Sequence, residues 1–446
     1  MKRLWSKARQ PSAFSTPLWF FALAPHKLAL GLTATLLPLF VVQVVGGTVA
    51  NVGQVSAVTA LASVPGYALW GNLSDRLGRR RPFLFLGFTA YAAARFLFGL
   101  GQNVPQVLWL AMLEGLLGAA VAPVASALVL DHTPEEQWPE AIARYNQIGG
   151  WSLVLGSLLG TAWLALLTGP WGQEAAMRGL FFFAGAVATL SLLLTTLWLR
   201  EPQAVRSRRP FDRRFIGRLT VSVVERALFH PHRQVLHILR PGVLGQIRSH
   251  LFSDLGRYYA CSFLQFFAIN TGFVTFPNFL TDGLGATSAQ AFLVGMVKNT
   301  MDAAFYRPMG RRVRQQGGFK LLAQATTARI GIMAAFALLA ITQPRPIGLA
   351  LAGGIHAFTG ATWAAIAVSG TAAAATLSPK GLGGRSLGLY NAFLGASGIL
   401  GSLVSGYLAR TYGYVASFGT AAALMTLSAV WLWHIQARAP ARHPEG

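Results

Sequence analysis

The sequence has too few charged residues for a protein that dissolves in water. Asp, Glu, Lys and Arg make up 11% of its 446 residues, whereas soluble domains carry about a quarter. Acidic residues are the scarcest group, with 14 Asp and Glu against 37 Lys and Arg. Hydrophobic residues reach 53% and the mean hydropathy is +0.48. Much of the protein surface must therefore face lipid rather than water.

The sequence also has a single cysteine, Cys261, which excludes an intrachain disulfide and a cysteine-rich metal site. A histidine cluster at 230–237 lies in a basic stretch where Asp212 and Glu225 are the nearest acidic residues, a poor setting for metal binding. We therefore expect neither a metal site nor an enzyme. No cofactor is expected, and a gradient of protons or of another ion is the expected energy source.

Long apolar runs dominate what is present, and each approaches the roughly 20 residues that cross a bilayer. They predict an all-α membrane protein of twelve transmembrane helices, with an N-terminal six-helix bundle at 1–199, a basic linker at 200–252 and a C-terminal six-helix bundle at 253–446. The spans are predicted at about 25–46, 50–71, 82–102, 105–130, 142–167, 178–199, 257–281, 287–307, 320–342, 346–376, 386–409 and 413–436.

The formal charge of +23 follows this topology. Lys and Arg gather in both tails and after the second, sixth and eighth spans, and only Arg178, Arg345 and Arg410 fall in predicted external loops. This alternation is typical of the positive-inside rule. It favours a multi-pass protein of the plasma or inner membrane, with both termini cytoplasmic, over a nucleic-acid-binding protein. The linker at 200–252 is predicted to be in part a helix on the membrane surface, and a solvated tether is the alternative.

The second half of the chain repeats the first. Tyr145-Asn146 in span 5 recurs as Tyr390-Asn391 in span 11, and Gly, Ser and Leu positions nearby recur at the same offset of 245 residues. Duplicated halves are typical of secondary transporters, whose binding site lies between the halves. The two Tyr-Asn pairs are therefore candidate substrate or coupling residues.

The segment Gly71-Asn72-Leu73-Ser74-Asp75-Arg76-Leu77-Gly78-Arg79-Arg80-Arg81 lies between spans 2 and 3. It resembles the signature loop of the major facilitator superfamily at every defined position, and the resemblance of spans and halves extends over the whole chain. Gly71 and Gly78 are expected to permit a close approach and a tight turn. Asp75 is expected to form a charge network with Arg76, Arg79 and Arg80.

The resemblance implies that Asp75 forms a gating contact with the start of span 11, near Gly383–Ser386, with Arg385 as a further partner. Two positions depart from the patterns of related transporters. Ala111 stands where many relatives have Arg, and Gly156-Ser157 stands where drug–proton antiporters often have Gly-Pro. Both departures weaken the antiporter subtype without affecting the predicted fold.

Ionisable residues inside spans are costly and are usually paired or functional. Glu114 and His356 fall at similar depths in spans 4 and 10. The family resemblance implies that spans 1, 4, 7 and 10 line the central cavity, so that these two residues would face each other across the substrate path and bind substrate or a coupling proton. The alternative is that each is a hydrogen-bonded packing residue. Lys298 and Asp302 share a helical face in span 8; an ion pair is the default, and a substrate role is the alternative. Arg95 and Arg329 are expected to be snorkelling or paired.

Polar and aromatic residues complete the predicted cavity, among them Gln265, Asn270 and Trp363. An aromatic cavity with few charges favours an apolar or amphipathic solute. The sequence thus predicts a secondary active transporter that works by alternating access, coupled to protons, with a leaning towards efflux. An importer of a small nutrient such as a sugar is the alternative, and a non-transporting membrane sensor a remote one. The expected partners are the lipid bilayer and a small-molecule substrate, with no nucleic acid, and the expected state is a monomer.

Overall fold

The computed structural model of the chain describes residues 16–134, 137–199, 254–343, 347–377 and 383–438. Within these ranges the chain is helical and contains no β-strand. The predicted linker at 200–252 and its histidine cluster lie outside the described residues, as do the side chains of Arg76 and of residues 383–389. The surface helix predicted in the linker therefore stays a prediction.

Among the described residues, the N-terminal half contains a short 3-10 turn at Leu18–Leu23 followed by eight helices. They are α1 (Ala24–Thr33), α2 (Leu36–Gln43), α3 (Val49–Leu77), α4 (Arg81–Leu100), α5 (Val104–Gly118), α6 (Val121–Asp131), α7 (Trp138–Trp171) and α8 (Gln173–Trp198).

The described part of the C-terminal half has five main helices. They are α9 (Asp254–Phe273), α10 (Ser288–Gln316), α11 (Gly318–Thr342), α12 (Gly348–Leu377) and α13 (Gly383–Arg438). A short helical turn at Phe276–Asn278 and a π turn at Phe279–Gly283 continue the line of α9.

Ten stretches of the described residues are long and apolar enough to cross a membrane. One of them, Tyr390–Ala437, holds two predicted spans, because α13 is interrupted at Gly413, where the backbone leaves helical angles (φ 80°, ψ 172°). The helix α10 is not among the ten, but it lies where span 8 was predicted and carries the charged residues Lys298 and Asp302 inside the bundle. Helix order and number in the described ranges are thus consistent with twelve spans.

Proline explains why three predicted spans are broken. The chain leaves α1, α5 and α9 about four residues before Pro38, Pro123 and Pro277 respectively. A proline lacks the N–H that would bond to the carbonyl four residues earlier, and its ring clashes with that carbonyl. Spans 1, 4 and 7 therefore each consist of two helical pieces.

The predicted boundary between span 2 and its loop was wrong. Instead of ending near residue 71, α3 continues to Leu77 and ends at Gly78, whose left-handed backbone (φ 61°, ψ 28°) suits glycine. Most of the signature motif is therefore the last two turns of a helix rather than a loop. An α-helix satisfies its own backbone hydrogen bonds, so it can continue past the apolar run into polar sequence.

The two halves meet along two helix pairs, α3 with α13 and α7 with α10. At the first pair, a side chain on Gly53 would collide with the backbone carbonyl of Ser402, and Gly406 faces the backbone of Ala50 in the same way. Small residues allow helix backbones to approach closely in a membrane, where lipid gives helices no hydrophobic reason to associate.

Candidate functional site

A cavity of about 250 Å³ lies between the two halves. The C-terminal half supplies most of its wall through α9 to α12, and the N-terminal half closes it with Ala34 and Thr35, at the break between α1 and α2. Helix α10 comes close there, because a side-chain carbon on Gly295 would lie 3.1 Å from the Thr35 hydroxyl. The cavity thus sits where duplicated transporters bind their substrates.

Lys298 and Asp302 form the ion pair expected from their i, i+4 spacing on α10. Lys298 Nζ donates to Asp302 Oδ2 at 2.6 Å, which confirms that prediction. Lys298 also lines the cavity and lies 5.8 Å from the centre of the Trp363 ring. Asp302 Oδ1 is buried and has no hydrogen-bond partner among the described residues. The pair thus leaves one carboxylate oxygen unsatisfied beside the cavity.

Arg329 is not snorkelling, contrary to one of the two expectations for it. Its side chain is 1% exposed, in the middle of α11, and lines the same cavity. Its Nε donates to Thr362 Oγ1 at 3.2 Å and its Nη2 to the Thr359 carbonyl at 3.0 Å. It has no ion pair within 4 Å to any described carboxylate. Polar groups of α12 hold it in place because α11 and α12 pack side by side.

His356 lies in an aromatic cluster on the cavity wall. Its ring stacks on Phe276 at 4.2 Å between centres with an interplanar angle of 20°, and Phe273 and Phe336 lie near it. The imidazole is buried, and its Nδ1 has no hydrogen-bond partner among the described residues. One ring nitrogen is therefore available to a ligand.

Glu114 has a different environment from the one predicted. Its carboxylate forms a short, buried ion pair with Arg95, so the expectation that Arg95 is paired is confirmed. The Arg95 guanidinium also lies over the rings of Tyr91 and Phe98. Glu114 does not line the cavity that contains His356. In this conformation the structure therefore does not place Glu114 and His356 opposite each other across that cavity.

Of the other seven candidates, one lines the cavity and six do not. Trp363 lines the cavity. Gln265 donates to Thr326 Oγ1 at 2.5 Å, and Asn270 donates to the Phe266 carbonyl within its own helix. Tyr390 stacks on Tyr258, Tyr145 packs beside a buried apolar cluster, and Asn146 and Asn391 are exposed. The repeat at Tyr145-Asn146 and Tyr390-Asn391 marks the duplication and not the cavity described above.

In the signature motif, Arg80 is the centre of the charge network. Its Nη1 donates to Asp75 Oδ1 at 2.5 Å and to Ser74 Oγ at 2.9 Å, and its Nε donates to Asp131 Oδ2 at 2.8 Å. Burial by itself lowers the pKa of the Arg80 guanidinium, but the hydrogen bonds and charges of Asp131 and Asp75 outweigh this and raise it. The network connects the end of α3 to the end of α6.

The expected partners of Asp75 on span 11 lie among side chains outside the described residues, so the gating contact stays a prediction. The Asp75 side chain is 63% exposed, which leaves it free to change partner. Gly71 is less constrained than expected, because an added side-chain carbon would make only ordinary contact with Pro123 at 3.6 Å. Arg79 is exposed.

At the opposite end of the bundle, hydrogen bonds join the two halves. Gln43 Oε1 accepts from Ser288 Oγ of the C-terminal half at 3.0 Å, and within its own half from Gln173 Nε2 at 2.5 Å. Asn278 Nδ2 donates to the Pro38 carbonyl at 3.2 Å. A surface depression of about 680 Å³ lies beside Gln43 and Ser288. In this conformation, hydrogen bonds connect the two halves at the end away from the signature motif.

Sequence reasoning missed two residues of these sites. Arg329 was left as a structural residue, although an arginine in the centre of a 25-residue apolar helix is itself a signal of function. Asp131 ends span 4 on the basic side, and its pairing with Arg80 depends on how α6 packs. No local pattern reveals that contact.

Comparison with known proteins agrees with this architecture. The multidrug resistance protein MdtG of Salmonella paratyphi C is 34% identical to this chain over 177 residues, or 39% of this chain and 41% of that protein. The MdtG of Citrobacter koseri is 35% identical over a stretch of the same length. The chain matches about two fifths of the length of these relatives.

Solved structures resemble the chain over nearly its whole length. A mutant of the nucleoside transporter NupG superposes with a TM-score of 0.72 at 14% identity, covering 94% of this chain and 100% of that one. At these identities the likeness concerns the fold alone. The sequence profile of the Major Facilitator Superfamily matches residues 19–369. This match covers most of the chain, and the chain therefore belongs to the major facilitator superfamily.

Proposed function

We propose that this membrane transporter exports lipophilic or amphipathic small molecules by alternating access, driven by a proton gradient. The observation that carries the proposal is the cavity between the halves, walled by Phe273, Phe276 and Trp363 and edged by charged side chains. Aromatic walls with a few convergent polar groups are typical of small-molecule sites. The similarity to proteins named for multidrug resistance supports the efflux direction.

Alternating access requires contacts that can open at one end while others form at the other. The bridge of Gln43 to Ser288 and of Asn278 to the Pro38 carbonyl closes the end away from the signature motif. These are a few neutral hydrogen bonds, each worth about 1 kcal/mol net. Breaking them is within the reach of substrate binding energy. The positive-inside pattern supports placing the signature-motif end of the bundle, and both termini, on the cytoplasmic side of a plasma or inner membrane.

Two carboxylates inside the spans are candidates for the coupling proton. Asp302 adjoins the cavity through Lys298, and Glu114 is held by Arg95 away from the cavity. A proton on either carboxylate would break its ion pair and release a cation. Asp302 is the better placed of the two, because its pair partner touches the cavity.

The test is transport in proteoliposomes that contain the purified chain. A panel of fluorescent amphipathic compounds, with glucose as a hydrophilic comparison, is followed under an imposed pH gradient and after the gradient is collapsed. We expect gradient-dependent movement of amphipathic compounds, lost in Asp302→Asn and retained in Glu114→Gln. Proton-driven glucose accumulation alone would instead identify an importer. If no gradient drives any solute, the proposal fails.

A further inference from the structure

The charges around the cavity are unbalanced. Lys298, Arg329 and His356 line it, while no Asp or Glu is among the described residues that do so. Asp302 forms an ion pair with Lys298 and is also close enough to act electrostatically on Arg329. With His356 neutral, two cations and one carboxylate leave one positive charge in excess, and Arg329 is the cation without a direct ion pair to a described carboxylate.

Arg329 has donors to spare on the cavity side. A guanidinium has five N–H groups, and the described acceptors, Thr362 Oγ1 and the Thr359 carbonyl, engage only Nε and Nη2. Its Nη1 has no acceptor among the described residues. The rings of Phe273 and Trp363 lie 5.5 Å and 5.9 Å from the guanidinium carbon. The two rings contact the guanidinium, but they do not accept conventional hydrogen bonds from its N–H groups.

Two buried cations that share one carboxylate are unfavourable, and proteins rarely retain such an excess charge in a membrane span without a function. The missing partner would have to be an anionic group that reaches the guanidinium from the cavity. A carboxylate suits this position, because it can accept two parallel hydrogen bonds from an arginine. Lys298 stands on the same cavity as a second source of positive potential.

The rest of the cavity suits an apolar body. Phe276, Phe273 and Ile269 face it from α9 and the turn that follows. His356 lies flat against Phe276, and its free Nδ1 adds one polar contact at the edge. Stacked and tilted rings of this kind accommodate another aromatic ring. The volume of about 250 Å³ is at the small end of ligand sites, which favours one or two rings.

We propose that the cavity binds a small lipophilic monoanion, an aromatic carboxylate whose charged group bonds to Arg329. This deepens the proposed efflux function by naming the chemical class of the substrate. Like-charge repulsion from Arg329 disfavours a lipophilic cation of the same shape. A membrane potential that is negative inside favours outward movement of an anion, in keeping with export.

Binding can be measured separately from transport. The purified full-length chain in lipid nanodiscs is titrated calorimetrically with three ligands of matched shape: 2-naphthoate, neutral 2-naphthamide and cationic 2-naphthylmethylamine. Empty nanodiscs are subtracted. We expect naphthoate to bind roughly tenfold or more tightly than the amide, as a charge-assisted hydrogen bond implies, and the amine to bind weakest. Equal affinities, or tightest binding by the amine, would overturn the proposal.

Variants then locate the charge. Arg329→Gln should lower the affinity for naphthoate to that for the amide and leave the affinity for the amide unchanged. Arg329→Lys should restore part of the preference for naphthoate over the amide. The matched control is Glu174→Gln, which breaks an exposed ion pair away from the cavity and should keep the preference for the anion. If Arg329→Gln weakens all three ligands equally while Arg329→Lys does not restore selectivity, the role of Arg329 is structural and the proposal is wrong.

The outcomes separate this inference from the function on which it rests. Selective naphthoate binding without flux in proteoliposomes would refute transport of that anion and leave the assignment of the site intact. Proton-driven export that prefers the amine would support the efflux function and refute the anion site.

Discussion

The ion pair between Glu114 and Arg95 offers the sharpest test of how charge is tolerated inside the N-terminal half. Both partners are largely buried, Arg95 with 4% and Glu114 with 15% of its side chain exposed. Glu114→Gln keeps the shape and removes the negative charge. The Arg95 guanidinium would then remain buried between Tyr91 and Phe98 without a counter-ion.

Breaking a buried pair from one side typically costs about 3–5 kcal/mol, whereas replacing both partners by neutral groups is often close to neutral. We therefore expect Glu114→Gln and Arg95→Gln each to lower stability by that order and the double variant to recover most of the loss. With about 2–4 °C per kcal/mol for a unit of 150–250 residues, each single change should lower the Tm by on the order of 10 °C.

The assay is thermal unfolding of the purified chain in detergent, for the parent protein, both single variants and the double variant. Exposed Glu174→Gln, which breaks the surface pair with Arg178, serves as the control and should change the Tm little. If the two single losses simply add in the double variant, Arg95 and Glu114 do not depend on each other, and the reasoning from their pairing is refuted.

Three further changes probe the frame around the cavity. Gly78→Ala should reduce stability by roughly 1 kcal/mol, because its backbone is left-handed (φ 61°); an unchanged Tm would contradict this. Gln43→Ala removes the bridge to Ser288, so spin-label distances between α2 and α10 should broaden towards an open state. The new side chain of Gly53→Val would collide with the Ser402 carbonyl, so we expect spin-label distances between α3 and α13 to lengthen. Unaltered spin-label distances would show that these contacts do not hold the halves together.

Much of the fold follows from local sequence. The apolar runs predict the spans because each must supply its own backbone hydrogen bonds in lipid. The breaks near Pro38, Pro123 and Pro277 follow from the chemistry of proline and could have been predicted from the same sequence. The helical course of Asp75 and its neighbours was harder to predict, because charged sequence beyond the apolar run is compatible with either a helix or a loop.

The candidate site was only partly predictable. Lys298 and Asp302 are four residues apart on one helix, so their pairing is a local property. Arg95 with Glu114 and Arg80 with Asp131 join residues from different helices, and their pairing depends on which helix faces meet. The same holds for Arg329, whose hydrogen bonds to Thr362 and Thr359 depend on how α11 packs against α12.

The amino-acid sequence by itself determined the membrane class, the family resemblance and the duplication, because these depend on composition, spacing and chemically distinctive residues. Only the tertiary structure decided which charges are neutralised and which face the cavity. The physical reason is that a charge in a low-dielectric interior is governed by groups within a few ångströms, and across helices those neighbours are set by packing rather than by sequence distance.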